Sequence, residues 1–142
     1  MISRLSKNNR GLDFGCGPGP TLSVMFEAFG CSMAIYDPFF ATDKSVLEIE
    51  YDFVTATEVV EHLQRPKQSL NRMWGCVKPG GYLGIMSQLV TGQKAFANWH
   101  YKDDDTHICF YSRETFVWLA RQWHTELVFV EKDVIIFQKL KI

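Results

Sequence analysis

Charge of one sign is the first thing missing. Fifteen Lys and Arg residues stand against sixteen Asp and Glu, for a net charge of −1 over 142 residues. With no run of Lys and Arg either, nothing electrostatic points to nucleic acid or an anionic membrane. Long apolar runs are also missing. No stretch approaches a membrane span, and MISRLSKNNR at the start carries no apolar core of a secretory signal. The four cysteines, Cys16, Cys31, Cys76 and Cys109, form no CxxC pair, so the spacing offers neither a structural zinc site nor a redox pair. Each lies in or beside an apolar segment, as reduced, buried thiols do. Repeats and low-complexity tracts are absent. A single cytoplasmic domain over residues 1–142, with no membrane or nucleic-acid partner, is the expectation.

What is present is apolar material for a core: 46% apolar and 14% aromatic residues. Its pattern alternates between strand and helix. GLDFG (11–15) reads as a buried strand running into a glycine turn. TLSVMFEAF (21–29) reads as a helix stopped by Gly30. SMAIYD (32–37) and DFVTAT (52–57) read as strands. A helix is predicted over 66–77, with Pro66 in its first turn and Leu70, Met73, Trp74 and Val77 at helical spacing. KPGG (78–81) signals a turn, and YLGIMS follows as a buried strand, then a long loop. Ser112 can cap a helix over 112–123, with Phe116, Leu119, Ala120 and Trp123 on one face. Two β-rich runs, 125–130 and 134–139, read as a hairpin around Glu131, Lys132 and Asp133. Such alternation predicts an α/β fold: a parallel sheet, helices on both faces, and a closing antiparallel hairpin. Ligands of such sheets bind at the carboxyl ends of the strands.

The strongest motif is GLDFGCGPGP (11–20). Gly15, Gly17 and Gly19 alternate between a strand and a helix, where a backbone can turn sharply and approach a ligand closely. A dinucleotide fingerprint requires its third glycine three residues after the second; here that position is Pro20. Asp13 stands two residues before Gly15. A carboxylate there repels a pyrophosphate but suits a ligand carrying positive charge. S-adenosylmethionine carries both an ammonium and a sulfonium. Asp37 closes the second strand about twenty residues on, where an acid can accept ribose hydroxyls. A tight ligand-free turn is the competing reading, and the coincidence of these residues disfavours it.

These segments resemble the class I, Rossmann-like S-adenosylmethionine-dependent methyltransferases, and WHYKDDDTHICFYS (99–112) is similar to a string of an uncharacterised bacterial branch of them. GLDFGCGPG is similar to the first motif, YDP to the second-strand acid, DFVTATEVVEHL to the fourth strand, and KPGG with YLGIMS to the entry of the fifth. The resemblance spans residues 11–139. It implies that Asp13, Gly15, Cys16 and Gly17 line the methionine end of the cofactor. It also implies that Asp37 takes the ribose, that Pro38 and Phe39 lie near the adenine, and that Thr57 and Glu58 face the reactive side. Two departures stand out. Only fourteen residues separate Asp37 from Asp52, so the region between the second and fourth strands of the family pattern is shortened. DKSVLEIE must replace a helix, a strand and an acidic adenine contact. Only ten residues precede the first strand, where relatives carry a helical cap. A shortened form, a homodimer or a partner covering the cofactor site is the expectation.

Methyl transfer from a sulfonium is an in-line displacement that requires mainly alignment and exclusion of water. A base is needed only for a protonated nucleophile. Residues 98–111, NWHYKDDDTHICFY, follow the fifth-strand segment and concentrate aromatic and titratable groups, as a substrate pocket would. Trp99, His100, Tyr101 and Tyr111 are the candidate acceptor contacts. His107 is the candidate base, against a structural histidine bonded to a loop carbonyl. His62 reads as support for a helix start, and His124 as a surface or C-cap residue. Asp103, Asp104 and Asp105 could hold a divalent cation but read better as a solvated loop, and no metal is expected. Trp74, Trp118 and Trp123 read as packing. The reading is methyl transfer to a small molecule. The alternatives are a cofactor-binding module without catalysis, or a subunit of a larger methyltransferase. A nicotinamide oxidoreductase is disfavoured by the glycine spacing.

Overall fold

A computed structural model describes residues 1–141. Six strands form one sheet: β1 (Arg10–Phe14), β2 (Ser32–Tyr36), β3 (Tyr51–Thr57), β4 (Val77–Met86), β5 (Glu126–Val130) and β6 (Val134–Gln138), in the order β2-β1-β3-β4-β6-β5. The first four are parallel, and β6 returns antiparallel to β4 with β5 paired outside it. The predicted parallel sheet and closing hairpin are therefore both present. Glu131, in a left-handed conformation at φ 57°, begins the three-residue turn between β5 and β6.

Three main helices cover the two faces. α1 (Thr21–Phe29) packs Phe26 against Phe53 on one face, joined by Met1 and Leu5 of the N-terminal segment. α2 (Pro66–Gly75) and α4 (Arg113–Gln122) cover the other, burying Leu70, Met73, Phe116 and Leu119 against Val54, Leu83, Ile85 and Phe137. Phe53 and Val54, adjacent in β3, point to opposite faces, which is the period of a strand with two covered sides. Met1 and Leu5 thus help to close the back of the sheet beside α1.

Several boundaries differ from the sequence reading. α2 ends at Gly75, with Cys76 as its cap, and β4 already begins at Val77. KPGG lies inside this strand as a bulge. Tyr51 pairs with Val77, but Phe53 pairs with Tyr82. Gly80 takes φ +82°, and a Cβ on Gly81 would meet the Asp52 carbonyl at 2.6 Å. The predicted long loop after β4 contains a short helix, α3 (Gln93–Ala97), and a 3-10 turn (His100–Asp103). Trp118 corrects an expectation: it is 55% exposed, because α4 turns it away from the face carrying Phe116, Leu119 and Ala120. Trp74 and Trp123 do pack, stacked 4.7 Å apart with nearly parallel rings. His124 adopts φ 50° just beyond the α4 cap.

Between β2 and β3 only a 3-10 turn (Lys44–Glu48) remains, with Leu47 buried. β2 is consequently the sheet edge. The shortening read from the sequence leaves neither an α-helix nor a strand between β2 and β3.

Candidate functional site

The glycine turn leaves β1 at Gly15. Its φ is +78°, and a Cβ there would lie 2.4 Å from Val59 Cγ2. The chain must therefore pass directly beneath the loop after β3, which only glycine permits. Gly15 and Cys16 donate their N–H groups to the Tyr36 carbonyl at 2.7 and 3.2 Å. Gly17 has φ +65°, with open space where a side chain would be, and the space beside Gly19 is open as well. This stretch of backbone can accept a ligand in contact.

Asp37 holds the turn from the side. Its Oδ2 accepts the Gly17 N–H at 3.0 Å, and its Oδ1 accepts those of Phe39 and Phe40 at 2.8 and 3.2 Å. The carboxylate is buried, and Oδ2, which accepts a single N–H, keeps a lone pair for a hydroxyl. Pro38 and Phe39 continue outward, with Phe39 83% exposed. Asp13 lies beneath the turn. Thr55 Oγ1 and Ser23 Oγ donate to it at 3.1 and 3.3 Å. Burial pushes its carboxyl above the usual range, and the two hydroxyls partly offset this. Burial and the Asp13 and Asp37 carboxylates raise the Cys16 thiol, which stays protonated. Two acids around an approachable backbone fit a nucleoside with positive charge better than a pyrophosphate.

A second cluster forms where β3 and β4 end. Thr57 pairs with Met86, and Glu58 follows at φ 52°, its N–H bonded to the Met86 carbonyl. A non-glycine residue in that region marks a conformation held by its surroundings. The Tyr101 hydroxyl reaches both Glu58 Oε2, at 3.0 Å, and Glu61 Oε1, at 2.5 Å. Ser87 Oγ donates to Glu61 Oε2 at 3.1 Å. Burial, and then Glu61, raise the Glu58 carboxyl. Burial and Glu61 also push the Tyr101 hydroxyl up, so it remains a donor.

Among the candidate acceptor residues, Trp99 lies 4.9 Å from the Tyr101 ring and donates its indole N–H to Gln88. It lines a groove of about 800 Å³ with Phe96, Leu89 and Arg113. The His107 ring packs on Tyr101 at 4.1 Å with the planes tilted by 48°, and its Nδ1 bonds to the Tyr101 carbonyl at 2.6 Å. His62 Nδ1 bonds to the Thr106 carbonyl at 2.9 Å, and the two imidazoles meet edge to face. His62 thus faces the loop of residues 98–111. His100 is exposed on the 3-10 turn. Tyr111 departs from the expectation of an acceptor contact. It is buried against Phe116, and its hydroxyl donates to the Val60 carbonyl, so its packing is that of a core residue. In the acidic loop, Asp103 pairs with Lys102, and Asp104 bonds to Thr106.

Sequence reasoning missed Glu61 and Ser87. Glu61 sits three residues after Glu58 in EVVEHL, on a 3-10 turn (Val60–His62) that aims it inward. The paired acids were the available signal.

A family model described as a methyltransferase domain matches residues 1–128. Among solved structures, the chain resembles an Archaeoglobus fulgidus S-adenosylmethionine-dependent methyltransferase, with a TM-score of 0.73 and 18% identity over 97% of this chain and 89% of that one. It also resembles a Burkholderia thailandensis 1,6-didemethyltoxoflavin-N1-methyltransferase holding 1,6-didemethyltoxoflavin and S-adenosylhomocysteine. There the TM-score is 0.72 and the identity 14%, over 98% and 74% of the two chains. A third, an O-methyltransferase family protein of Burkholderia thailandensis, gives a TM-score of 0.70 and 12% identity; this chain is covered over 99% but spans only 54% of that one. No curated protein matches the sequence. At these identities the solved structures establish the fold, and the family match establishes kinship: the chain belongs to the methyltransferase-domain family.

Proposed function

We propose that this chain transfers the methyl group of S-adenosylmethionine to a small-molecule acceptor. The observation that carries this reading is the juxtaposition of two sites at the carboxyl ends of adjoining strands. The open glycine turn with Asp13 and Asp37 ends β1 and β2, and the Glu58, Tyr101 and Trp99 cluster ends β3 and β4. Asp13, Gly15, Cys16 and Gly17 take the methionine end. Asp37 takes the ribose hydroxyls, and Pro38 and Phe39 flank the adenine. Thr57 and Glu58 border the sulfonium. When bound, the cofactor supplies an activated methyl group. The chain's own residues align the acceptor and exclude water. Trp99 and Phe96 supply apolar walls for the acceptor, and His100 and Tyr101, whose ring packs on Trp99, are its further contacts.

The exposure of Phe39 and Phe40 supports a second copy or a partner subunit covering the adenine end. No helix among the described residues is long and apolar enough to cross a membrane. Four free thiols fit a reducing, cytoplasmic setting.

Titration calorimetry with S-adenosylmethionine, S-adenosylhomocysteine and NAD tests the cofactor. Binding of the first two and not the third is expected; binding of NAD alone would overturn the reading. Turnover with a mixed metabolite extract then tests catalysis. Binding without transfer would favour a cofactor-binding module or a subunit of a larger enzyme.

A further inference from the structure

We propose that Glu61, His62 and His107 form a binding site for a divalent first-row transition ion of the manganese, cobalt or zinc class. One donor atom of each residue lies within 4.8 Å of the other two. An ion bound at about 2.0–2.2 Å holds its ligands roughly 3–4.4 Å apart, so small side-chain rotations close the set.

The tautomer of both histidines is fixed by their partners. His62 Nδ1 faces the Thr106 carbonyl, and His107 Nδ1 faces the Tyr101 carbonyl. A carbonyl only accepts, so each Nδ1 carries the proton. In the neutral rings each Nε2 is left with a free lone pair. Metal-ligating histidines are oriented in this way, by donating the other ring N–H to a carbonyl or carboxylate. His107 Nε2 also lies 3.7 Å from Asp104 Oδ2, which places another oxygen donor near the set.

Glu61 supplies the independent argument. It has no solvent exposure. Among the described residues no Lys or Arg pairs with it. A buried carboxylate is costly unless it is paired or bound to a metal. Ser87 and Tyr101 each donate one hydroxyl to it, which orients the carboxylate and leaves lone pairs on both oxygens. Every member of the set is therefore held by a second group. Two imidazoles with one carboxylate suit manganese, cobalt or zinc better than magnesium or calcium.

Three protein ligands leave positions open for water or an acceptor oxygen. A metal on Nε2 occupies the lone pair that a base would use, so His107 is here a ligand. Beside Glu58, the ion would bind and acidify an acceptor hydroxyl. This last role rests on the methyl-transfer reading; metal binding itself does not.

The test uses the full chain, stripped with EDTA and titrated with MnCl2 by calorimetry and electron paramagnetic resonance, and with ZnCl2 by calorimetry. One ion per chain is expected. His62→Ala and His107→Ala should each weaken binding about tenfold or more, while Asp105→Ala, in the neighbouring acidic loop, leaves it unchanged. His62 is exposed, so that variant keeps its fold, and circular dichroism checks both. Absence of saturable binding by either ion would overturn the proposal. So would wild-type affinity in the two histidine variants, or equal weakening by Asp105→Ala. Cofactor affinity is measured separately without metal. Its loss with metal binding intact would count against methyl transfer alone, and the converse against the metal site alone.

Discussion

The Tyr101 hydroxyl lies 2.5 Å from Oε1 of Glu61, a carboxylate without solvent exposure, and 3.0 Å from Oε2 of Glu58. From the opposite segment it touches both acids of EVVEHL. Tyr101→Phe keeps the ring packed between Trp99 and His107 but leaves Glu61 with Ser87 as its one hydroxyl donor. The expected loss is about 1–3 kcal/mol, the cost of under-satisfying a buried charged acceptor. Urea unfolding of the two proteins measures it. Equal midpoints and slopes would show that the hydroxyl carries no stability.

The two left-handed glycines of the turn should respond differently to the same change. Gly15→Ala meets both an unfavourable φ and Val59 at 2.4 Å, whereas Gly17→Ala meets only the φ. The second costs about 1–2 kcal/mol from backbone conformation. The first should exceed it, since the β3 loop must also move. Thermal unfolding of both variants ranks them, and a more stable Gly15→Ala protein would refute the close approach.

Asp37 holds three backbone N–H groups of the turn and of the following loop. Asp37→Ala removes all three bonds to a charged acceptor, each contributing about 1.5–3 kcal/mol. S-adenosylmethionine affinity should fall at least tenfold, read by calorimetry. Unchanged affinity would separate Asp37 from the cofactor.

Asp52 ties the start of β1 to the start of β3 and β4. It accepts the Arg10 N–H at 2.7 Å and pairs with Lys78 at 3.0 Å. Burial alone would raise its carboxyl, but the Arg10 N–H and Lys78 outweigh it and hold the group below its usual range. A depressed acid stabilises the fold above its unfolded value, near pH 3.9, and that contribution is lost as pH falls through the folded value. Asp52→Asn should therefore cost about 1 kcal/mol at pH 7. The difference from the parent should shrink on acidification below about pH 4. A difference constant from pH 7 to pH 3 would rule out ionisation as its source.

The sequence by itself determined the parts whose cause is local. Strand and helix follow from apolar period, so β1, β2, β3, β5, β6, α1, α2 and α4 were legible to within two residues, while β4 begins five residues before its predicted start. The glycine turn was legible because φ above zero demands glycine, and the shortened β2–β3 connection because only fourteen residues separate Asp37 from Asp52. The tertiary structure decided what depends on partners far along the chain. KPGG looks like a turn, yet β3 and β6 draw it into β4 as a bulge. Tyr111 looks like a pocket residue, yet Val60 and Phe116 hold it in the core. Glu61 carried no assigned role in the sequence. Only the return of residues 98–111 over the end of β3, forty residues later, brings Tyr101 and His107 to it. Side-chain chemistry is written in the sequence; which side chains share a site is settled by the packing that closes those distances.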